Sequence, residues 1–208
     1  MHIDILFDMV RKQVNTDQPF ATLSVPDTWA QGRALYGGIS TSLVYTAMRH
    51  LVSPDKQLRA LNTSFDGPIE PGVPFTIKVS LLREGKNTSQ LQGQILQHDK
   101  VCLMTLASFG VARTSKISIN NQTSHIMDLP NKASLTPMIP KITPSFIRHF
   151  ELAKNLGRWP FMGSKICDTH GWMRFKKAPE ILTDAHLIAL IDVWPPTVLQ
   201  TLRWPAPA

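Results

Sequence analysis

An incomplete repetition limits how this chain can fold. A Gly-Gly-led apolar helix is followed by a full run of strands, and a second apolar helix comes later with only a short Pro-rich tail after it to Ala208. From Gly37-Gly38 onward, Ile39, Leu43, Val44, Ala47, Met48 and Leu51 recur at helical spacing and define one buried face. The second helix is predicted from Thr183 to about Trp194, carrying Leu187, Ile188, Leu190 and Ile191. Equivalent halves would leave part of the second sheet missing from this chain.

Between the helices the sequence reads as strands. Thr22 to Val25 is a short strand stopped by Pro26-Asp27, and Gln57 to Phe65 is extended. Phe75, Ile77, Val79 and Leu81 alternate with Thr76, Lys78 and Ser80, the period of a half-buried strand. Glu84-Gly85-Lys86-Asn87 turns the chain back, and Thr88–Gln97 with Val101–Phe109 forms a hairpin around His98-Asp99-Lys100. From Ala112 to Ser145 the composition shifts to Ser, Thr, Asn and Pro, including Pro130, Pro137, Pro140 and Pro144, which marks a connector too long for a hairpin loop. Beyond it, Phe146–Leu156 and Gly171–Lys176 read as strands.

Composition excludes several classes. With 43% hydrophobic and 18% charged residues, the chain is neither disordered nor collagen-like. The amphipathic segment Met1–Val14 is interrupted by Asp4, Asp8, Arg11 and Lys12, which argues against a secretory signal, and no stretch reaches membrane-spanning length. Two cysteines, Cys102 and Cys167, give no disulfide framework, so a reduced, cytoplasmic compartment is expected. In that setting the sequons at Asn62, Asn87 and Asn121 read as chance matches.

The net charge of +7 suits an anionic partner. Its densest cluster, Arg174, Lys176 and Lys177, lacks the interleaved aromatics of a single-strand nucleic-acid binder, so no nucleic-acid partner is expected. His98, His125, His149, His170 and His186 are dispersed without metal-ligand spacing, and no nucleophile elbow, phosphate loop or dinucleotide fingerprint occurs. Ser40, Thr41 and Ser42 have no positioned base and read as helix residues.

The stretch Gly32-Arg33-Ala34-Leu35-Tyr36-Gly37-Gly38, and the stretch from Leu82-Arg83-Glu84-Gly85-Lys86 through Gln97 to Ala107-Ser108-Phe109, resemble the first half of acyl-CoA thioesterase II and its relatives. Gly171-Trp172-Met173-Arg174 and Leu190-Ile191-Asp192-Val193-Trp194-Pro195-Pro196 resemble the second half. The resemblance implies an α+β double hotdog, each unit a curved antiparallel sheet wrapped around a long central helix. The units would be residues 1–112, a connector 113–144, and a partial second unit 145–208. It also implies hydrolysis of a fatty or related acyl-CoA, with no metal or redox cofactor. A sheet left unfinished at Ala208 would expose an edge and apolar surface, so a homo-oligomer is expected.

Thioester hydrolysis needs a group that positions or deprotonates water and donors for the charge developing on the carbonyl oxygen. Asp192 sits among Leu190, Ile191, Val193 and Trp194 near a helix end forced by Pro195-Pro196, where a carboxylate is costly. It either faces solvent or lines a buried site. The resemblance matches it to the family's catalytic aspartate, which orients the attacking water.

Asp184 fits better as an N-terminal helix residue. Gly37 and Gly38 either allow close helix packing or offer free amides to a polarised carbonyl. Trp172 and Trp194 are packing residues or walls of an acyl channel. The family's threonine and glutamine that work with the aspartate follow the second helix on strands, and Thr197, Gln200 and Thr201 stand too close to that helix to match them. A non-catalytic acyl-CoA or acyl-carrier binding module is the alternative reading. A hotdog hydratase ranks last, for want of a His suitably spaced after Asp192.

Overall fold

The computed structural model describes residues 1–119, 127–130, 135, 138–139 and 142–204. The sequon at Asn121, His125, and Pro137 and Pro140 of the expected connector lie outside the described residues. Helix α1 (Ile3–Arg11) buries Ile3, Leu6, Phe7 and Val10, one stripe of the amphipathic N-terminal segment. Strand β1 (Phe20–Leu23), a short 3-10 turn (Asp27–Trp29) and the two-residue strands β2 (Ala30–Gln31) and β3 (Ala34–Leu35) lead into α2 (Gly37–His50). Then follow β4 (Lys56–Phe65), β5 (Phe75–Glu84), β6 (Thr88–Gln97) and β7 (Lys100–Val111).

These long strands form an antiparallel sheet in the order β1-β5-β6-β7-β4. Register shifts at Leu58/Ala60, Leu81/Arg83 and Ile95/Leu96 bend it. The β6–β7 hairpin closes on His98 (φ 53°) and Asp99 (φ 58°), both in the left-handed region that a two-residue type I′ turn requires.

The bent sheet wraps α2, which is buried from Gly38 to Met48. Ile39, Leu43, Val44 and Met48 supply the apolar contacts, each contributing about 1.5–3 kcal/mol on full burial. Three hydroxyls in the same helix are buried too, and they bond to carbonyls one turn back: Ser40 Oγ to Tyr36 O (3.1 Å), Ser42 Oγ to Ile39 O (2.8 Å) and Thr46 Oγ1 to Ser42 O (2.8 Å). Gly93 of β6 lies directly beneath α2. A Cβ there would meet Val44 and come within 2.8 Å of Met48 Cε, so the helix sits closer to the sheet than any other residue would permit.

The second half repeats the theme. Strands β8 (Phe150–Leu156) and β9 (His170–Phe175) pair antiparallel, and α3 (Asp184–Ile191) packs against β9 and, more extensively, against α2. The chain is a double hotdog, two curved antiparallel sheets each wrapped around a central helix.

Two expectations shift in detail. Phe146–Leu156 is not one strand: Ser145–His149 is a 3-10 turn, and only Phe150 onward is extended. Phe150 N–H closes the turn on Ile147 O, and the backbone becomes extended only from Phe150. Helix α3 ends at Ile191 rather than Trp194. Trp194 precedes proline and is biased away from helical backbone, and Val193 N–H closes the last turn on Leu190 O at 3.0 Å in 3-10 fashion.

Candidate active site at the meeting of two helices

Three of the residues singled out in the sequence come together where α2 begins and α3 ends. The first amides of α2 have no intrahelical acceptor, and the helix dipole places partial positive charge there. Asp192, at the C-cap of α3 (φ −86°, ψ 2°), turns its carboxyl towards that end. A Cβ built on Gly37 would lie 2.7 Å from Asp192 Oδ2 and 3.0 Å from the Phe65 ring, so the carboxyl oxygen and the ring occupy the space a side chain would need.

Asp192 as a residue is exposed, but this oxygen faces protein, and the two descriptions refer to different sides of the same group. Burial pushes the Asp192 carboxyl above its ordinary value, and the Gly38 backbone N–H pulls it the other way. Gly37 thus leaves room at the helix start for the Asp192 carboxyl and the Phe65 ring.

Tyr36 and Phe65, neither of which carries a role in the sequence reading, complete the surroundings. Tyr36 is the N-cap of α2 and is fully buried. Phe65 ends β4 with its ring half in solvent beside Gly37. The signals were present, a tyrosine directly before Gly-Gly and an aromatic directly before Asp66-Gly67-Pro68. What neither signal contains is the distance between these residues in the fold.

Trp172 and Trp194 stand to the side of this meeting point. Trp172 Nε1–H donates to Asp128 O at 2.8 Å, which attaches the connector to β9. The Trp194 ring covers Gly171, where a Cβ would lie 2.7 Å from it. The hollow that Trp194 lines with Lys154, Arg158, Trp159 and Gln200 has space for about 10 Å³, roughly one water and far short of an acyl chain.

Gln200 is buried and spans that region. Its Oε1 accepts from Arg158 N–H (2.6 Å) and its Nε2 donates to Asp168 O (3.2 Å), the pattern of a structural brace. Asp184 accepts from Tyr45 O–H at 3.1 Å in the first turn of α3, the position expected of it. Among the described residues no group of three His, Cys, Asp or Glu side chains forms a metal-sized ligand set. No helix among them is long and apolar enough to cross a membrane.

Two wrapped helices packed antiparallel, the start of α2 beside the end of α3 and Tyr45 of α2 beside Asp184 of α3, define a hotdog protein of the double type. Residues 25–110 match the acyl-CoA thioesterase N-terminal domain, and residues 127–208 match the acyl-CoA thioesterase C-terminal domain. The chain belongs to the hotdog-fold acyl-CoA thioesterase superfamily.

Solved structures agree at the level of fold. A conserved protein of unknown function with a hot dog fold from Alicyclobacillus acidocaldarius is 23% identical with a TM-score of 0.76, the match covering 97% of this chain and 74% of that one. A putative thioesterase II from Thermobifida fusca YX is 15% identical (TM-score 0.68; 96% and 76% covered). An acyl-CoA thioesterase II from Mycobacterium marinum is 16% identical (TM-score 0.62; 88% and 65% covered). The chain thus spans between 65% and 76% of the length of these relatives. A comparison with curated protein sequences gives no match.

Proposed function

We propose that this chain is an acyl-CoA thioesterase, hydrolysing a fatty or related acyl-CoA to the free acid and CoA with a water positioned by Asp192. Family membership supports the reaction class. The observation that carries the residue assignment is the Asp192 carboxyl lying against the open first turn of α2.

In this reading the carboxylate accepts a proton from water as the water oxygen attacks the thioester carbon. The carbonyl electrons move onto oxygen, and first-turn amides at Gly37 and Gly38 stabilise that charge. Collapse breaks the C–S bond and releases CoA as a thiolate, which takes up a proton. Since Gly38 N–H already influences Asp192, the same helix end would hold the base and, once substrate enters, the oxyanion.

The exposed side of Asp192 is the side open to water and substrate, and Phe65 offers an apolar surface beside it. Trp172 and Trp194 are proposed as substrate-facing only after movement of the Trp194 hollow, given its present volume. The division into units 1–112 and 145–208 joined by 113–144 belongs to the same proposal, as do a cytoplasmic location and homo-oligomeric assembly.

Release of free thiol from a panel of acyl-CoA esters tests the reading. Turnover that collapses in Asp192→Asn supports it. Binding of acyl-CoA without thiol release would transfer the assignment to a non-catalytic acyl-CoA or acyl-carrier module.

A further inference from the structure

Tyr36 takes no part in the chemistry above, yet it touches both helices that bring the site together. Its phenol O–H donates to the carbonyl of Ala189, in the last turn of α3, at 2.6 Å. Its ring stacks on Phe146 (4.1 Å between centroids, 4° between planes) and meets Phe150 edge-on (5.8 Å, 70°). At the backbone, Tyr36 N–H donates to Trp29 O at 3.0 Å, and Tyr36 O accepts from Ser40 N–H at 3.2 Å. The residue is therefore fixed to the start of α2 at one end and to the end of α3 at the other.

Gly38 makes that reach possible. A Cβ on Gly38 would lie 2.5 Å from the Tyr36 phenol oxygen and 2.6 Å from Cζ, so the phenol passes through the space a side chain would fill. The two glycines have separate occupants: Asp192 and Phe65 at Gly37, Tyr36 at Gly38. Burial, and after it the negative charge of Asp192, push the phenol pKa far upward, so the O–H remains a donor whenever the protein is folded.

We propose that Tyr36 is the positioning residue of this site: its phenol, crossing at Gly38 to the Ala189 carbonyl, sets the end of α3 so that Asp192 meets the first turn of α2. The proposal rests on the reading of Asp192 as the water-positioning group. A short hydrogen bond from a ring held by stacking leaves α3 little freedom to slide, and displacements near 1 Å are enough to cost a reaction about a hundredfold.

Two readouts test it on the full chain. The first is the proton chemical shift of the Gly38 amide followed against pH. In the wild-type protein it steps with ionisation of Asp192, and Asp192→Asn removes the step and so assigns it. Tyr36→Phe, which keeps the stacked ring, is expected to shrink the step as the Asp192 carboxyl draws away from the amide. 3-Fluorotyrosine at position 36, which keeps the O–H, restores it.

The second readout is thiol release from acyl-CoA. Tyr36→Phe is expected to lower kcat about tenfold with KM within about twofold, a split that general destabilisation does not produce. A Gly38 amide that titrates in Tyr36→Phe as in the wild type overturns the proposal. Full turnover in Asp192→Asn, or none in the wild type, instead overturns the thioesterase reading, and the amide titration still decides the placement. Should Tyr36→Phe fail to fold, Gly38→Ala displaces the phenol with Tyr36 in place; an unchanged titration of the amide at position 38 then overturns the proposal.

Discussion

At Asp192, burial and a helix end pull the same carboxyl in opposite directions, and burial is the larger influence. A raised folded pKa means that the native state holds this proton more tightly than the unfolded chain does. Asp192 therefore lowers stability as pH rises from the ordinary aspartate range through its folded value. Asp192→Asn is expected to melt at a higher temperature than the wild type at pH 7, with the difference shrinking as pH falls towards that range in scanning calorimetry. The same variant should lose activity by about 10²–10⁴-fold, the usual contribution of a general base. The wild-type rate should rise with pH along an acid limb displaced above the usual aspartate value. Gly37→Ala places a Cβ 2.7 Å from Asp192 Oδ2 and should reduce kcat strongly while the circular dichroism spectrum is retained. Spacing alone leaves Asp192 either facing solvent or lining a buried site, and it is the resemblance of Leu190–Pro196 to the family's second half that singles it out. Tyr36 was not legible, because its hydrogen-bond partner, Ala189, is on the other helix and Tyr-Gly-Gly by itself says nothing of a second helix.

The elements carry their own titrations and clamps. His149, at the end of the 3-10 turn that leads into β8, stacks on Trp29 (3.8 Å, 6°), and its Nε2 approaches Thr28 O at 3.1 Å. Burial, with smaller repulsion from the N-terminus, Arg148 and His2, lowers its pKa from 6.5 to about 4. Between those values the unfolded chain binds a proton that the native state does not, so stability falls as pH drops through that window. His149→Phe should flatten this acid loss relative to wild type in melting temperatures measured across it. Lys56 opens β4 with its ammonium buried on Glu84, on Ser89 Oγ (2.8 Å) and on Gly85 O (3.0 Å), which joins β4 to the β5–β6 turn. Lys56→Met leaves the Ser89 and Gly85 oxygens without that donor and should cost about 1–3 kcal/mol in urea unfolding. The long strands were readable because Phe75–Val79 alternate and the turns carry Gly and Asp; β6 runs over the expected Thr88–Gln97. The short β2 and β3 and the 3-10 turn at Phe146 were not, since a few residues contain no period and tertiary burial decides their shape.

For the molecule as a whole, the two helices are unequally covered. Among the described residues, α2 lies inside a five-stranded sheet, whereas α3 has a two-stranded one and leaves Leu187 45% and Ile191 72% exposed. An apolar face of this kind favours association, so light scattering should report a dimer or larger species, and Leu187→Lys combined with Ile191→Lys should shift it towards the monomer. The halves were visible in the sequence as two apolar helices, but their antiparallel packing was not, because no local pattern records how separated helices dock. That packing also governs how the site responds to dilution. Asp192 and the Gly37-Gly38 amides arrive from distant parts of one polypeptide, so the fold itself holds each beside the other. Separate subunits bearing the same groups would part as they were diluted; here the carboxyl and the helix end stay together at any protein concentration at which the chain is folded.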